Sequence, residues 1–229
     1  MSVDGKIAAR DGSSKMSSDE DWKAVHELRA QVDAILVGLG TVLVDDPLLT
    51  NRSGSGGNPT RVVVDSRARI PLQSKIVRSA TQYSLIVATS RSADQTAIRE
   101  LEQSGAKVIV VSDQSKQPGA TNEEVDLERL LEILFDGEKI KKLLLEGGSR
   151  LNWSMISQGL VDEIRITISP IILGGSGAKS LVGGEGFEKI SEALSLELVD
   201  VTTRKSTGET ILRYRVNTAR AKAKNNRGG

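Results

Sequence analysis

The sequence predicts an α/β fold: a mostly parallel sheet with helices on both faces, extended by antiparallel C-terminal strands into one mixed sheet. Three observations predict it. Between residues 33 and 146, short apolar runs without alternation are separated by helical segments, and such runs read as strands buried on both faces of a parallel sheet. After Trp153 the texture turns to period-two alternation, the mark of strands with one wet face. No linker-like stretch divides the two textures, so 1–217 reads as one domain.

The first helix is announced by Ser17-x-x-Glu20, a capping-box signature, with Trp22, Val25 and Leu28 following on one face. Ala34-Ile35-Leu36-Val37 is the first buried strand, and Gly38-Leu39-Gly40-Thr41 after it is a glycine-rich turn leading into a short polar stretch, 42–46. Val62-Val63-Val64 and Leu85-Ile86-Val87-Ala88 are the next two strands. A helix over 92–104 carries Ala97, Ile98 and Leu101, with Gly105 placed to end it. Val108-Ile109-Val110-Val111 is a fourth strand, and Asp126 caps a helix whose stripe is Leu127, Leu130, Leu131 and Leu134. Leu143-Leu144-Leu145 completes the parallel set, followed by a helical segment over 150–158. The alternating strands are 163–168, 194–198 and 211–216. Residues 218–229 lack apolar periodicity and read as a disordered basic tail.

Composition narrows the function. Lys and Arg number 31 against 30 Asp and Glu, a net charge of +1, which argues against a dedicated nucleic-acid or membrane-surface protein. Any contact with nucleic acid falls to the basic tail. There is no cysteine, hence no disulfide, thiolate nucleophile or cysteine-bound zinc. His26 is the only histidine, so a Ser-His-Asp triad has one candidate base, and this residue reads as a surface or half-buried helix residue more readily than as a base. No apolar run reaches the roughly 20 residues of a membrane span, and the charged N-terminal residues do not read as a secretory signal. The expectation is a soluble, cytoplasmic protein.

The strongest chemical signal is Leu145-Glu146-Gly147-Gly148-Ser149. An apolar strand runs directly into a carboxylate and two glycines, and ligands of open α/β sheets bind beyond the carboxyl ends of strands. Two glycines let backbone approach a diphosphate, and Glu146 is able to accept N–H groups from an amino-heterocycle. Gly38-Leu39-Gly40 is a weaker sign, because Leu43 stands where the dinucleotide fingerprint needs its third glycine. Leu173-Gly174-Gly175-Ser176-Gly177-Ala178-Lys179-Ser180 misses the P-loop pattern, with Leu173 and Ala178 in place of glycines. Lys6, Arg29, Arg52 and Arg61 are the basic residues expected near the ligand edge, where a phosphorylated substrate calls for a guanidinium. The residues by themselves lead to a phosphate- or nucleotide-binding α/β protein without a metal.

Taken in order, Ser2-Val3-Asp4-Gly5-Lys6, Gly38-Leu39-Gly40-Thr41 through Asp45-Asp46-Pro47-Leu48-Leu49-Thr50, Val63-Val64-Asp65-Ser66, Leu145-Glu146-Gly147-Gly148, Gly159-Leu160-Val161-Asp162-Glu163 and Pro170-Ile171-Ile172-Leu173-Gly174-Gly175 resemble the riboflavin-pathway reductase family along nearly the whole chain. The resemblance implies a dihydrofolate-reductase-like fold, NADPH as cofactor, a homodimer, and reduction of 2,5-diamino-6-(ribosylamino)pyrimidinone 5′-phosphate to its ribityl form. The deaminated pyrimidine, a dihydrofolate-type substrate and a non-catalytic nucleotide-binding role are the alternatives. It also implies cofactor contacts at Thr41, Asp45, Asp65, Ser66, Gly147, Gly148 and Ser149. Arg29, Leu49, Arg52 and Glu146 fall on substrate positions, with the arginines suited to the phosphate and Glu146 to the pyrimidine. Lys6 falls near the ribose C1′, as the candidate for proton handling. The family has a strand before the Ser-x-Asp-Gly-Lys motif, where this chain starts. The resemblance therefore implies a natural start upstream of Met1, or another segment filling that place.

Overall fold

The structure, a computed structural model, describes residues 1–111 and 124–217; the expected basic tail lies outside them. The elements in chain order begin with β1 (Lys6–Ala8), α1 (Asp19–Arg29), β2 (Ala34–Gly38), α2 (Leu39–Asp45), β3 (Thr60–Val64) and α3 (Lys75–Arg78). Then come β4 (Leu85–Thr89), α4 (Gln95–Gln103), β5 (Lys107–Val110), α5 (Leu127–Asp136), β6 (Leu143–Leu145) and α6 (Ser149–Ser157). The chain ends with β7 (Glu163–Ile168), β8 (Lys179–Ser180), β9 (Leu196–Arg204) and β10 (Glu209–Val216). Two compact units result: one is Lys23–Gly148, the other Met1–Trp22 together with the chain from Ser149 onward.

In the Lys23–Gly148 unit, β2 to β6 form a five-stranded sheet in the order β5-β4-β3-β2-β6, with every pair parallel. The β-branched and leucine runs of β2, β3 and β4 form strands buried on both faces, whereas the edge strands β5 and β6 are partly exposed. Ile35, Leu36, Val37, Val62, Val63 and Val87 are fully buried, each such side chain contributing roughly 1.5–3 kcal/mol. The order sets the site. The chain walks outward from β2 through β5, then returns to pair β6 with the other side of β2, Ala34 opposite Leu143 and Leu36 opposite Leu145. The reversal between β2 and β6 is a topological switch point, and open α/β sheets bind their ligands beyond the carboxyl ends of such strands. Helices α4 and α5 are capped by Asp94 and Asp126, whose carboxylates accept first-turn N–H groups.

The other unit corrects one expectation. The alternating strands do form, and they pair antiparallel, but as a sheet of their own in the order β7-β10-β9. Strands β1 and β8 make a separate antiparallel pair. The fold is thus α/β with a parallel sheet and separate antiparallel sheets, not one mixed sheet among the described residues. Alternation reports a wet face and says nothing about which edge a strand joins.

Helix α1 differs too. Its cap is Ser18 instead of Ser17: Ser18 Oγ accepts from the Asp21 N–H at 3.1 Å. Its most buried residues are polar, Asp21, His26 and Arg29, while Trp22 of the expected apolar stripe is exposed. Ser18 is anchored by Glu209, which accepts from its N–H at 2.8 Å and its hydroxyl at 2.6 Å. Arg204 lies between Asp21 and Glu209, 3.0 Å from each. These charge-assisted bonds hold the Glu209 carboxyl down at about 2 against its burial.

Candidate functional site

At the carboxyl end of β6 the chain leaves the sheet as Glu146-Gly147-Gly148. The Glu146 N–H donates to Leu36 O at 3.0 Å and the Gly38 N–H to Gly147 O at 3.2 Å, so this turn continues the ladder one step beyond the strands. Gly147 has φ +111°, a conformation open to glycine, and a Cβ there would meet nothing within 4 Å. Gly40, in the first turn of α2, has the same open surroundings. Thr41 follows it half-buried, and Asp45 is exposed at the end of α2. Open space beside backbone on both sides of the switch point fits a cofactor diphosphate.

Glu146 is not free. Arg29 grips it in a fork, Nε to Oε1 at 2.7 Å and Nη2 to Oε2 at 2.6 Å. Arg29 is buried, and its Nη1 donates to Thr50 O at 3.1 Å. With three of its groups engaged, Arg29 orients the carboxylate instead of standing open to a phosphate. Glu146 is half-buried and keeps lone pairs for N–H donors of a ligand.

The loop after α2 is held from several directions. Leu49 is buried with φ +54°, a left-handed conformation that a leucine adopts only where its surroundings impose it. Those surroundings are Arg61, donating to Leu48 O at 3.3 Å, and Arg29 on Thr50 O. Asn58 Oδ1 accepts the Asn51 N–H at 2.9 Å, and His26 Nδ1 receives the Arg52 N–H at 3.2 Å. Arg52 itself is exposed; its Nε faces His26 Nε2 at 3.3 Å, and among the described residues its Nη groups have no protein partner. Arg52 is therefore the guanidinium presented outward. His26 is buried, and burial followed by the Arg29 and Arg52 charges lowers its pKa.

Arg61 overturns its expectation. It is fully buried at the start of β3, away from the carboxyl ends, and its donors go to Ser79 Oγ at 2.8 Å and to the carbonyls of Leu48, Ser79, Tyr83 and Ser84. With no carboxylate beside it, burial lowers its pKa to about 10. Asp65 is buried after β3, and its carboxylate accepts from Ile70 N at 2.7 Å and Arg67 N at 3.4 Å. It shapes the turn that follows and leaves Ser66 at the strand end. Ser90, after β4, donates its N–H and hydroxyl to Ser66 O at 3.0 and 2.8 Å and meets the Ser92 hydroxyl at 2.7 Å. The buried Thr89 hydroxyl beside them has no partner among the described residues.

Lys6 and Ser149 belong to the other unit. Lys6 Nζ reaches Ser180 Oγ at 3.5 Å, and Ser149 Oγ donates to Ser180 O at 2.7 Å. The glycine-rich stretch that failed the P-loop pattern thus ends by meeting two expected site residues. Asp4 grips the same stretch, accepting from the Leu173 and Gly174 N–H groups at 3.0 and 2.7 Å. Its carboxyl falls to about 2, through the Ser2 hydroxyl first and then those N–H groups.

His26 and Ser180 are the residues that sequence reasoning missed as contributors. The signal for His26 was its spacing three residues before Arg29, which puts both on one helix face. Ser180 had no local signal.

Comparison with known proteins finds relatives along most of the chain. The chain is 45% identical over 201 residues to the 2,5-diamino-6-ribosylamino-4(3H)-pyrimidinone 5′-phosphate reductase of Methanothermobacter thermautotrophicus, covering 86% of this chain and 87% of that one. It is 38% identical over 203 residues to the reductase of the same name from Aquifex aeolicus, covering 86% of each. Among solved structures, Acinetobacter baumannii RibD superposes with a TM-score of 0.76 at 27% identity, covering 94% of this chain and 55% of that longer one. The family described as RibD C-terminal domain matches residues 1–209. A match over that span, with relatives this similar along most of their length, places the chain in the RibD C-terminal domain family.

Proposed function

We propose that this chain reduces 2,5-diamino-6-(ribosylamino)pyrimidin-4(3H)-one 5′-phosphate at the ribose C1′, with NADPH as donor, in riboflavin biosynthesis. The observation that carries the reading is Glu146, a carboxylate fixed by the Arg29 fork beyond β6 at the switch point. A pyrimidine rich in N–H groups is the natural partner of such a carboxylate. Two reductases 38–45% identical to this chain carry that substrate in their names.

In this reading Glu146 accepts pyrimidine N–H groups and Arg52 takes the 5′-phosphate. Leu49 supplies an apolar wall, and Arg29 keeps Glu146 in place. Gly147 and Gly148 bring backbone to the cofactor diphosphate, helped by Thr41, Asp45 and Ser149. Ser66, on a turn shaped by Asp65, lies with Ser90, Ser92 and the exposed Arg91 at the ends of β3 and β4. Hydroxyls and a guanidinium there suit the 2′-phosphate that separates NADPH from NADH. Bound NADPH supplies the hydride. On the family resemblance alone, Lys6 is the candidate for proton handling or imine activation as the ribosylamine opens.

We place the protein in the cytoplasm on its lack of cysteine, and no helix among the described residues is long and apolar enough to cross a membrane. We further propose a homodimer. Strand β9 is an edge strand and exposes Leu196, Leu198 and Val201, a surface that a second copy would cover.

The test is loss of nicotinamide absorbance with NADPH and each of three substrates: the diaminopyrimidinone, its deaminated counterpart and dihydrofolate. Turnover of the first at the highest kcat/KM is expected. Equal or better turnover of either of the others overturns the substrate assignment, and NADH performing as well as NADPH overturns the 2′-phosphate subsite.

A further inference from the structure

Both the main chain and the side chain of Arg52 meet one imidazole, His26, at 3.2 and 3.3 Å. A neutral imidazole has one acceptor nitrogen, so it takes one of these N–H groups at a time; an imidazolium has none and faces both as a donor. We infer that His26 is a positioning residue that acts on the substrate phosphate through Arg52, holding that arginine in place while the ring is neutral and releasing it on protonation. The inference rests on the proposed phosphate role of Arg52. His26 touches no substrate in this account.

The charged groups that face the ring are Arg29 from α1, Arg52 from the loop and Glu146 beyond β6, with the Thr50 carbonyl beside them. Arg29 and Glu146 neutralise each other through their fork, so Arg52 is the charge left over. A second cation beside Arg52 is unfavourable, and the ring is buried, which keeps it neutral below the ordinary imidazole range. The loop explains why one contact matters. Thr50 O is fixed by Arg29 two residues earlier, whereas the exposed Arg52 has His26 as its hold. Without it, the guanidinium explores several rotamers, and phosphate binding must order them again.

The only histidine of the chain gives a single imidazole signal in proton NMR, so the test is direct. Inorganic phosphate added to the native enzyme should move the His26 titration midpoint downward, because a ligand that binds better while the ring is neutral opposes its protonation, and Arg52→Ala should abolish that response. A histidine that only felt the added negative charge would shift upward, so an upward or unmoved midpoint overturns the inference. In kinetics, His26→Leu should raise KM for the phosphorylated substrate about tenfold with kcat little changed. His26→Asn, which keeps an acceptor near the Nδ1 position, should recover most of that loss. The substrate phosphate itself titrates near pH 6, so the acid limb of KM is compared between native enzyme and His26→Asn. A steeper limb in the native enzyme is expected, and superimposable profiles overturn the inference. If Arg52→Ala leaves KM unchanged, the phosphate site itself has failed and the inference with it. If Arg52→Ala raises KM and His26→Leu does not, only the role of His26 has failed. Should His26→Leu not fold, the NMR titration and His26→Asn decide.

Discussion

Glu146 and Arg29 are 117 positions apart and meet within 2.7 Å, so neither residue's neighbours in sequence hint at the other. That is why the arginine reads as a phosphate ligand from sequence and as the carboxylate's holder in space. Glu146→Gln keeps the shape and removes the charge, and it leaves Arg29 buried without its counter-ion. The variant is expected to lose about 1.5–3 kcal/mol of transition-state binding, a ten- to hundredfold fall in kcat/KM. The cofactor Kd should change little. Measuring both separates the outcomes: a collapsed cofactor Kd with substrate KM intact would move Glu146 to the cofactor side. Leu49 and Arg52 were placed by resemblance, but the conformation of their loop was not legible. A leucine at φ +54° runs against local preference, and it is imposed by Arg61, Arg29 and His26 from three distant points of the chain.

The central strands β2, β3 and β4 were legible as elements because burial on both faces forces β-branched and leucine runs, and the partly exposed edges β5 and β6 keep a similar composition. The caps of α4 and α5 were legible to within two residues, since a carboxylate beside free N–H groups is a local event. Helix α1 was read less well. Its stripe of Trp22, Val25 and Leu28 suggested the buried face, yet Asp21, His26 and Arg29 are the residues most withdrawn from water. Polar residues are buried only where partners await them, and those partners lie far along the chain. At its N-terminus the partner is Glu209, held to about 2 from an ordinary value near 4.5. A depressed carboxyl stabilises the fold fully above its unfolded pKa and ceases to do so as pH falls through the folded one. Stability should therefore decline between about pH 5 and pH 2, this group alone accounting for roughly 2–3 kcal/mol. Urea denaturation across that range should show a smaller acid loss for Glu209→Gln, which starts less stable at pH 7. An equal acid loss in both proteins would mean that Glu209 is not the titrating group.

For the molecule as a whole, the doubly wound sheet separates duties between its two edges. Beyond the carboxyl ends stand Gly40, Ser66, Ser90, Glu146 and Gly147. At the amino ends, Arg61 satisfies four carbonyls, and Asp33 accepts the Lys141 and Lys142 N–H groups at 2.8 Å each. Arg61→Met strands those carbonyls and should cost roughly 3 kcal/mol of stability. Asp33→Ala should lower Tm as well. In both variants the cofactor Kd should stay within about twofold of the native value, because neither side chain lies at the carboxyl ends, although Arg61→Met also frees Leu48 O in the loop that carries Leu49 and Arg52. A large change in cofactor Kd with Tm unmoved would contradict this division. The same winding also has a meaning in time. A ribosome adding about 5–20 residues per second needs roughly 6–23 seconds to travel the 117 positions from Arg29 to Glu146. Throughout that interval β2 waits with one flank unpaired, and a guanidinium destined for burial stays in water, since no anion has yet been synthesised to follow it inside. The site at the carboxyl ends is therefore among the last features of the nascent Lys23–Gly148 unit to be completed, and a chain released before Leu143 would carry most of the sheet without Glu146 and its two glycines.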